Sequence, residues 1–347
     1  MEQDNARSIK KNRITIRQVA ERAGVTIGTV SHVINGTASI SSETKAKVRE
    51  AIAELNYVPN ITAKSLRSKN SKMVGFLIPN LNNNFYSKIS STFINHAFEN
   101  GFIVQIFAYE YSLEKELQAI DSLASNSVDI VIILNGYGDE EGIKRLLDAG
   151  KNVILADRLS DIDGVSCVYF DNKKAIFEAI ELLKVKRYQR IGLLSEPLTL
   201  SNVQERFEAY QAALETFGFR FREEDVFICK NFQLDAMVNG YLYVKEILQN
   251  NMDRELPDVF IATSDMLAIG AIKAFREFGL DVPGDVGIIS YDNLDIASFM
   301  NPELTTIEQD QVLMGTELFW LVKAISEKEV VKKNIALPQK LIIRESC

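Results

Sequence analysis

The chain has 347 residues, of which 46% are hydrophobic and 25% charged, with a formal net charge of −8. This is longer than one typical domain and has the make-up of a soluble globule with a large core, which excludes a disordered or fibrous protein. There is no apolar run of membrane-span length, the polar start MEQDNARSIKKNR is unlike a signal peptide, and the scattered Cys167, Cys229 and Cys347 give neither a disulfide framework nor a metal spacing. A cytoplasmic protein without metal or cofactor is expected.

Residues 1–13 are predicted to be a disordered tail. In residues 14–35, ITIRQVAERAGVTIGTVSHVIN, the apolar spacing predicts two short helices crossing at a tight corner. Thr15 is placed to N-cap the first, with Gln18 in capping-box register. Val19, Ala20 and Ala23 form its inner face, Gly24 permits the corner, and Val25, Val30 and Val33 are the contacts of a second helix opened by Thr26 or Ile27. The outward side of that helix carries Ile27, Gly28, Thr29, Ser31 and His32, all short enough to approach base edges. Ser41 is placed to cap a third helix with Val48, Ile52 and Leu55 inward, and Pro59 ends the unit. An ordinary helical hairpin has the same spacing, but the charge favours DNA. Residues 1–72 hold 13 Lys and Arg against 6 Asp and Glu, and the rest of the chain holds 26 against 41. A basic head on an acidic body suits a protein whose head alone meets phosphate. Ile27 and Gly28 offer no hydrogen-bonding side chain, so base reading by this helix is sparse. Ile27 suits a thymine methyl, and His32 a base edge.

From residue 73 the runs MVGFLI, FIVQIFA, DIVIIL, NVILAD, RIGLLS, DVFIAT and VGIIS read as strands buried on both faces. Amphipathic stretches such as 87–99, 114–125, 173–184, 204–216, 236–249 and 265–277 read as crossover helices. The fold class is therefore an all-α helix-turn-helix head plus an α/β core of two doubly wound parallel-sheet subdomains, about 73–170 and 171–300, with a recrossing segment 301–347. Ligands of such folds bind at the carboxyl ends of the strands. An enzyme is the competing class, but its signals are weak. NGYGDEEG has GxGxxxG rather than GxGxxG spacing, His32 and His96 lie in separate domains, and no P-loop or nucleophile signature is present. A sugar-binding transport protein would share the core without the head.

TVSHVIN (29–35), SSETKAKVREAIAELNYVPN (41–60) and ITAKSLRS (61–68) resemble the lactose-repressor (LacI/GalR) family of bacterial transcription regulators, and with weaker motifs the rest of the chain does too. The resemblance implies a DNA-binding domain over 14–59, a hinge helix or linker over 60–72, and an effector-binding and dimerisation domain over 73–347 like a periplasmic sugar-binding protein. It implies DNA contacts from Thr15, Thr26, Ile27, Gly28, Thr29, Ser31, His32 and Asn35. In the hinge, Leu66 would wedge into the minor groove, with Asn60, Ala63, Lys64 and Arg67 around it. A linker leucine packed on the core is the plainer alternative for Leu66. Effector contacts are implied for Asn135, Asp157, Asn202, Arg206, Ser264, Asp265, Asp292 and Gln309, with aromatic faces from Phe85, Phe170 and Phe232. The expected partners are a roughly palindromic operator, a second copy of the chain and a small-molecule effector, a sugar first and a purine or other small polar co-repressor second. The chain stops after LIIRESC, where tetrameric relatives add a leucine-rich helix, so a dimer is expected. Departures from the family pattern fall in cleft loops: NNFY at 83–86, Lys174, Arg187 with Tyr188, and Glu196 before Pro197 where glycine is usual.

Overall fold

The structure, a computed structural model, describes residues 14–36, 38–57, 72–136, 140–229, 235–250, 255–329 and 332–347. The chain divides into two compact units, Met1–Lys69 and Asn70–Cys347.

The first unit holds α1 (Ile16–Ala23), α2 (Ile27–Asn35) and α3 (Ser42–Glu54). The capping box at its start is present. Thr15 N–H donates to Gln18 Oε1 at 2.8 Å, and Gln18 N–H donates to Thr15 Oγ1 at 3.4 Å. Gly24 ends α1 at φ 67°, a left-handed turn that a side chain would strain. Thr26 opens α2 by accepting from Thr29 N–H at 3.1 Å, and Ser41 caps α3 through Thr44 N–H at 3.3 Å. Val19, Ala20, Val30, Val48 and Ala51 are buried together, with Ala23, Val25, Val33, Ile52 and Leu55 packed around them. Five buried side chains make a small core, so the three caps carry much of the unit's definition; each contributes about 1 kcal/mol.

The second unit has two lobes. The first lobe runs β1 (Met73–Ile78), α4 (Asn84–Glu99), β2 (Ile103–Ala108), α5 (Leu113–Ser125), β3 (Ile130–Leu134), α6 (Glu140–Asp148), β4 (Asn152–Ala156) and β5 (Val165–Phe170). The second runs α7 (Asn172–Val185), β6 (Ile191–Ser195), α8 (Ser201–Phe217), β7 (Val226–Ile228), α9 (Ala236–Asn250), β8 (Val259–Ala262), α10 (Asp265–Glu277), β9 (Gly287–Asp292) and β10 (Thr305–Gln309). Then α11 (Gln311–Ser326) returns to the first lobe, where Met314, Leu318, Phe319 and Val322 join Phe76 and Phe93 in one core. Last come β11 (Asn334–Leu337) and β12 (Gln339–Ile342).

The sheets are ordered β2-β1-β3-β4-β5-β11 and β7-β6-β8-β9-β10-β12. All pairings are parallel except β10 with β12. The doubly wound core expected from the apolar runs is present, and those seven runs form β1, β2, β3, β4, β6, β8 and β9. The chain passes between lobes three times, at 170–172, 309–311 and 337–339. At the last, only Pro338 separates a strand of one sheet from a strand of the other. The parallel order brings the carboxyl ends of both sheets to the cleft between the lobes.

Candidate functional site

On the head, Gly28, His32, Thr26 and Thr15 are exposed, and Thr29 and Ser31 are half-buried. Thr15 and Thr26 spend their side chains on caps, and Thr29 Oγ1 lies 2.9 Å from Thr26 Oγ1. Ile27 is half-buried and packs against the head core, so it faces outward less than its position in the sequence suggests. Among the basic residues, Arg22 pairs with Glu54 at 2.6 Å and Lys47 with Glu43 at 2.8 Å. Asn35 lies in α2, with its side chain outside the described part. Asn60, Ala63, Lys64, Leu66, Arg67 and Phe232 lie outside the described residues.

In the core, three strand-end residues share one backbone peculiarity. Asn135 follows β3 at φ 63°, Asp157 follows β4 at φ 60°, and Asp292 ends β9 at φ 110°. Non-glycine residues in this region are costly and cluster where a side chain must be re-aimed. The ladder nevertheless continues through them, since Asn135 N–H donates to Ala156 O and Asp157 N–H to Val168 O, both at 2.8 Å. Arg158 Nη1 holds the Asn135 carbonyl at 3.2 Å.

Arg206, on α8, is 3% exposed and lies at the centre. Its Nε donates to Asn172 Oδ1 at 3.2 Å, Nη1 to Thr263 O at 2.7 Å and Nη2 to Gln309 Oε1 at 2.9 Å, while the guanidinium stacks 4.1 Å above the Tyr291 ring. Three of its five N–H groups are thus engaged and two remain for a ligand. Asn202 Nδ2, also on α8, reaches across the lobes to Asp157 Oδ2 at 2.7 Å. Asn135 Nδ2 donates to the Tyr86 hydroxyl at 3.1 Å. This leaves Asn135 Oδ1, Asp157 Oδ1 and Gln309 Nε2 buried without a hydrogen-bond partner. Unsatisfied buried polar atoms cost about 1–3 kcal/mol each. Three in one cleft are what a polar ligand would satisfy.

Asn135, Asp157, Asn202, Arg206 and Gln309 are therefore brought together, with Asp292 near enough to Arg206 to feel its charge. Asp265 is set apart. Ser290 Oγ, Thr306 Oγ1 at 2.7 Å and Leu294 N–H at 2.7 Å all donate to it, so its carboxylate pins β9, β10 and the turn after β9 rather than facing a ligand. Ser264 caps α10 through Leu267 N–H. Phe85 and Phe170 lie in the first-lobe core, 5% and 2% exposed. Sequence reasoning missed Tyr86, Asn172, Thr263 and Tyr291. Only Tyr291, next to Asp292 in ISYDN, carried a signal, an aromatic ring at a strand end.

Burial raises Asp157 to about 7 against the pull of Arg206 and the Asn202 hydrogen bond, and lifts Asp292 well above the carboxylate range, with Asp265 adding repulsion. Between its ordinary 3.8 and about 7, the folded protein keeps a proton on Asp157 that the unfolded chain has released. This group therefore makes stability fall as pH rises through that window. Asp157→Asn removes the titration, so its melting temperature should fall less steeply than wild type from about pH 4 to about pH 7; equal slopes would assign the dependence to other groups.

A cavity of about 330 Å³ opens between the lobes. Asn82, Asn83, Glu110 and Tyr111 line it from the first lobe, and Glu196, Leu200, Asp235, Asn239 and Met266 from the second.

Two family models match the chain. "Bacterial regulatory proteins, lacI family" covers residues 15–60, and "Periplasmic binding proteins and sugar binding domain of LacI family" covers 71–345. The HTH-type transcriptional regulator DegA of Bacillus subtilis is 30% identical, over 96% of this chain and 97% of its own. A lac repressor dimer bound to operator and the anti-inducer ONPF matches with TM-score 0.83 at 27% identity, covering 96% of this chain and 98% of that one. A complex of the transcriptional regulator CelR with cellobiose matches with TM-score 0.71 at 28% identity, covering 96% and 100%. No helix among the described residues is long and apolar enough to cross a membrane. The chain belongs to the LacI family of bacterial regulatory proteins, as a cytosolic DNA-binding transcriptional regulator rather than an enzyme.

Proposed function

We propose that the protein is a repressor that binds a roughly palindromic operator as a homodimer, its affinity set by a hydroxyl-rich, non-anionic effector, a sugar, held between the lobes of the core. The observation that carries the effector reading is the buried Arg206 fork with two uncommitted N–H groups, surrounded by unpartnered Asp157 Oδ1, Asn135 Oδ1 and Gln309 Nε2. Hydroxyls both donate and accept, and so suit such a mixture. Burial holds Asp157, Asp292 and Glu196 toward their protonated forms, in which each offers an O–H as well as an acceptor to a ligand hydroxyl. The structural neighbour holding cellobiose supports a sugar, and the neighbour bound to operator as a dimer supports the assembly.

The reading divides the chain into a DNA head over 14–59, a hinge over 60–72 and a core over 73–347, and places the operator-bound protein on the nucleoid. Thr26, Gly28, Ser31, His32 and Asn35 face the major groove, and Leu66 wedges the minor groove at the operator centre. Leu66→Ala should then weaken operator binding by tenfold or more and binding to scrambled DNA by less than about twofold. Equal loss on both would remove the wedge.

The direct test is fluorescence anisotropy on the DNA upstream of the protein's own gene and on scrambled DNA, with and without neutral sugars, sugar phosphates and purines. Specific binding shifted by a sugar supports the reading. A response confined to a purine or a sugar phosphate overturns the effector class, and no preference for upstream DNA counts against self-regulation.

A further inference from the structure

The mouth of the cleft has a character that its floor does not explain. Its charged lining is Glu110 and, from the other lobe, Glu196 and Asp235, with no lysine or arginine among the described lining residues. Its other polar lining is amide, with Asn82, Asn83 and Asn239 beside the Tyr111 ring, and Leu200 and Met266 add apolar surface. Burial first, and then the charges of Glu196 and Asp235, push the Tyr111 hydroxyl above its ordinary range, as expected where these side chains face one cavity.

Tyr111 is joined to the floor. It hydrogen-bonds Tyr86, whose hydroxyl accepts from Asn135, and Asp157 nearby is 2% exposed with Oδ1 unpartnered. The acidic mouth is therefore tied to the unsatisfied floor from both walls, through Tyr111, Tyr86 and Asn135 on one side and through Glu196, Thr263 and Arg206 on the other. A cavity that places carboxylates on both walls around an aromatic face, with amides between, repels anions and favours a cation by charge and by the ring quadrupole.

We infer that the effector carries a protonated amine on its polyhydroxylated frame, an amino sugar, with the ammonium held at the mouth by Glu110, Glu196 and Asp235 against Tyr111 and the hydroxyls on the floor around Arg206. This rests on the effector reading above and narrows it. Closing the lobes brings carboxylates from both walls onto one ammonium, so the charge also favours the closed cleft.

The test is isothermal titration of the full-length protein with glucosamine, galactosamine and mannosamine, each beside its neutral parent and its N-acetyl form, at neutral pH. At least one amine is expected to bind tenfold or more tighter than both counterparts. In a Glu110→Gln/Asp235→Asn double variant, two exposed positions whose change should leave the fold intact, that ratio is expected to fall below about threefold. Neutral parents that bind as tightly as the amines would overturn the inference and leave the sugar reading standing, as would a ratio unmoved in the double variant. If no sugar of any kind binds, the sugar reading fails and the inference falls with it.

Discussion

Arg206→Lys should weaken effector binding about a hundredfold while leaving operator binding by the effector-free protein within about twofold. Lysine keeps the positive charge among Asp157, Asp292 and Glu196 but loses the planar fork, and with it the two N–H groups left after Asn172, Thr263 and Gln309 are served. Two hydrogen bonds to a charged donor at about 1.5 kcal/mol each give about 3 kcal/mol, roughly a hundredfold in Kd. Arg206→Ala should abolish the response outright and also destabilise the core, because it leaves buried carboxylates without their cation. Titrating effector against both variants, with operator affinity measured in parallel, separates the two roles. An Arg206→Lys protein with unchanged effector affinity would remove the guanidinium from the site.

Gly270→Ala should lower the melting temperature of the core by roughly 2–8 °C. The helices α9 and α10 cross so closely that a Cβ at Gly270 would lie 2.0 Å from Met237 O and 2.6 Å from Tyr241 N, and one at Gly240 would lie 2.2 Å from Leu267 O. These neighbours are backbone, so a helix must move rather than a side chain turn. Overpacking of this kind costs about 1–3 kcal/mol, against which alanine's better helix propensity returns less than about 1 kcal/mol. For a unit of this size each kcal/mol moves the midpoint by about 2–4 °C. The first residues of α9, Ala236 and Asn239, and Met266 of α10 line the cleft, so effector affinity should fall with stability. An unchanged midpoint would mean that the crossing spreads freely.

The head was legible because its information is local: Thr15 with Gln18, Gly24 and the valines at helical spacing are read within a dozen residues. The strands that were legible are continuous apolar runs. TTIEQ, which forms β10, is a strand of the second sheet with Thr305, Thr306 and Gln309 fully buried, and its polar side chains hide it from any hydropathy reading. VSCVYF, which forms β5, is interrupted by Ser166, and Ser166 Oγ accepts from Lys333 N–H, a partner 167 residues away. The same limit applies to the site. Arg206 and Asp157 could be placed by resemblance, but that Asp265 is consumed by Ser290, Thr306 and Leu294 depends on contacts 25 to 41 residues away in the chain. Spacing along a helix or strand shows which way a residue faces its own element. It does not show which partner meets it there.

The late return of the chain to the first lobe also bears on synthesis. The face covered by Met314, Leu318, Phe319 and Val322, and the sheet edge at β5 that β11 covers, receive their partners only when residues 311–337 have left the ribosome. Until then the nascent first lobe carries an uncovered apolar surface and an open strand edge, the two features that invite association with other chains. Translation through the second lobe thus separates two halves of one core, and the protein completes both lobes nearly at once.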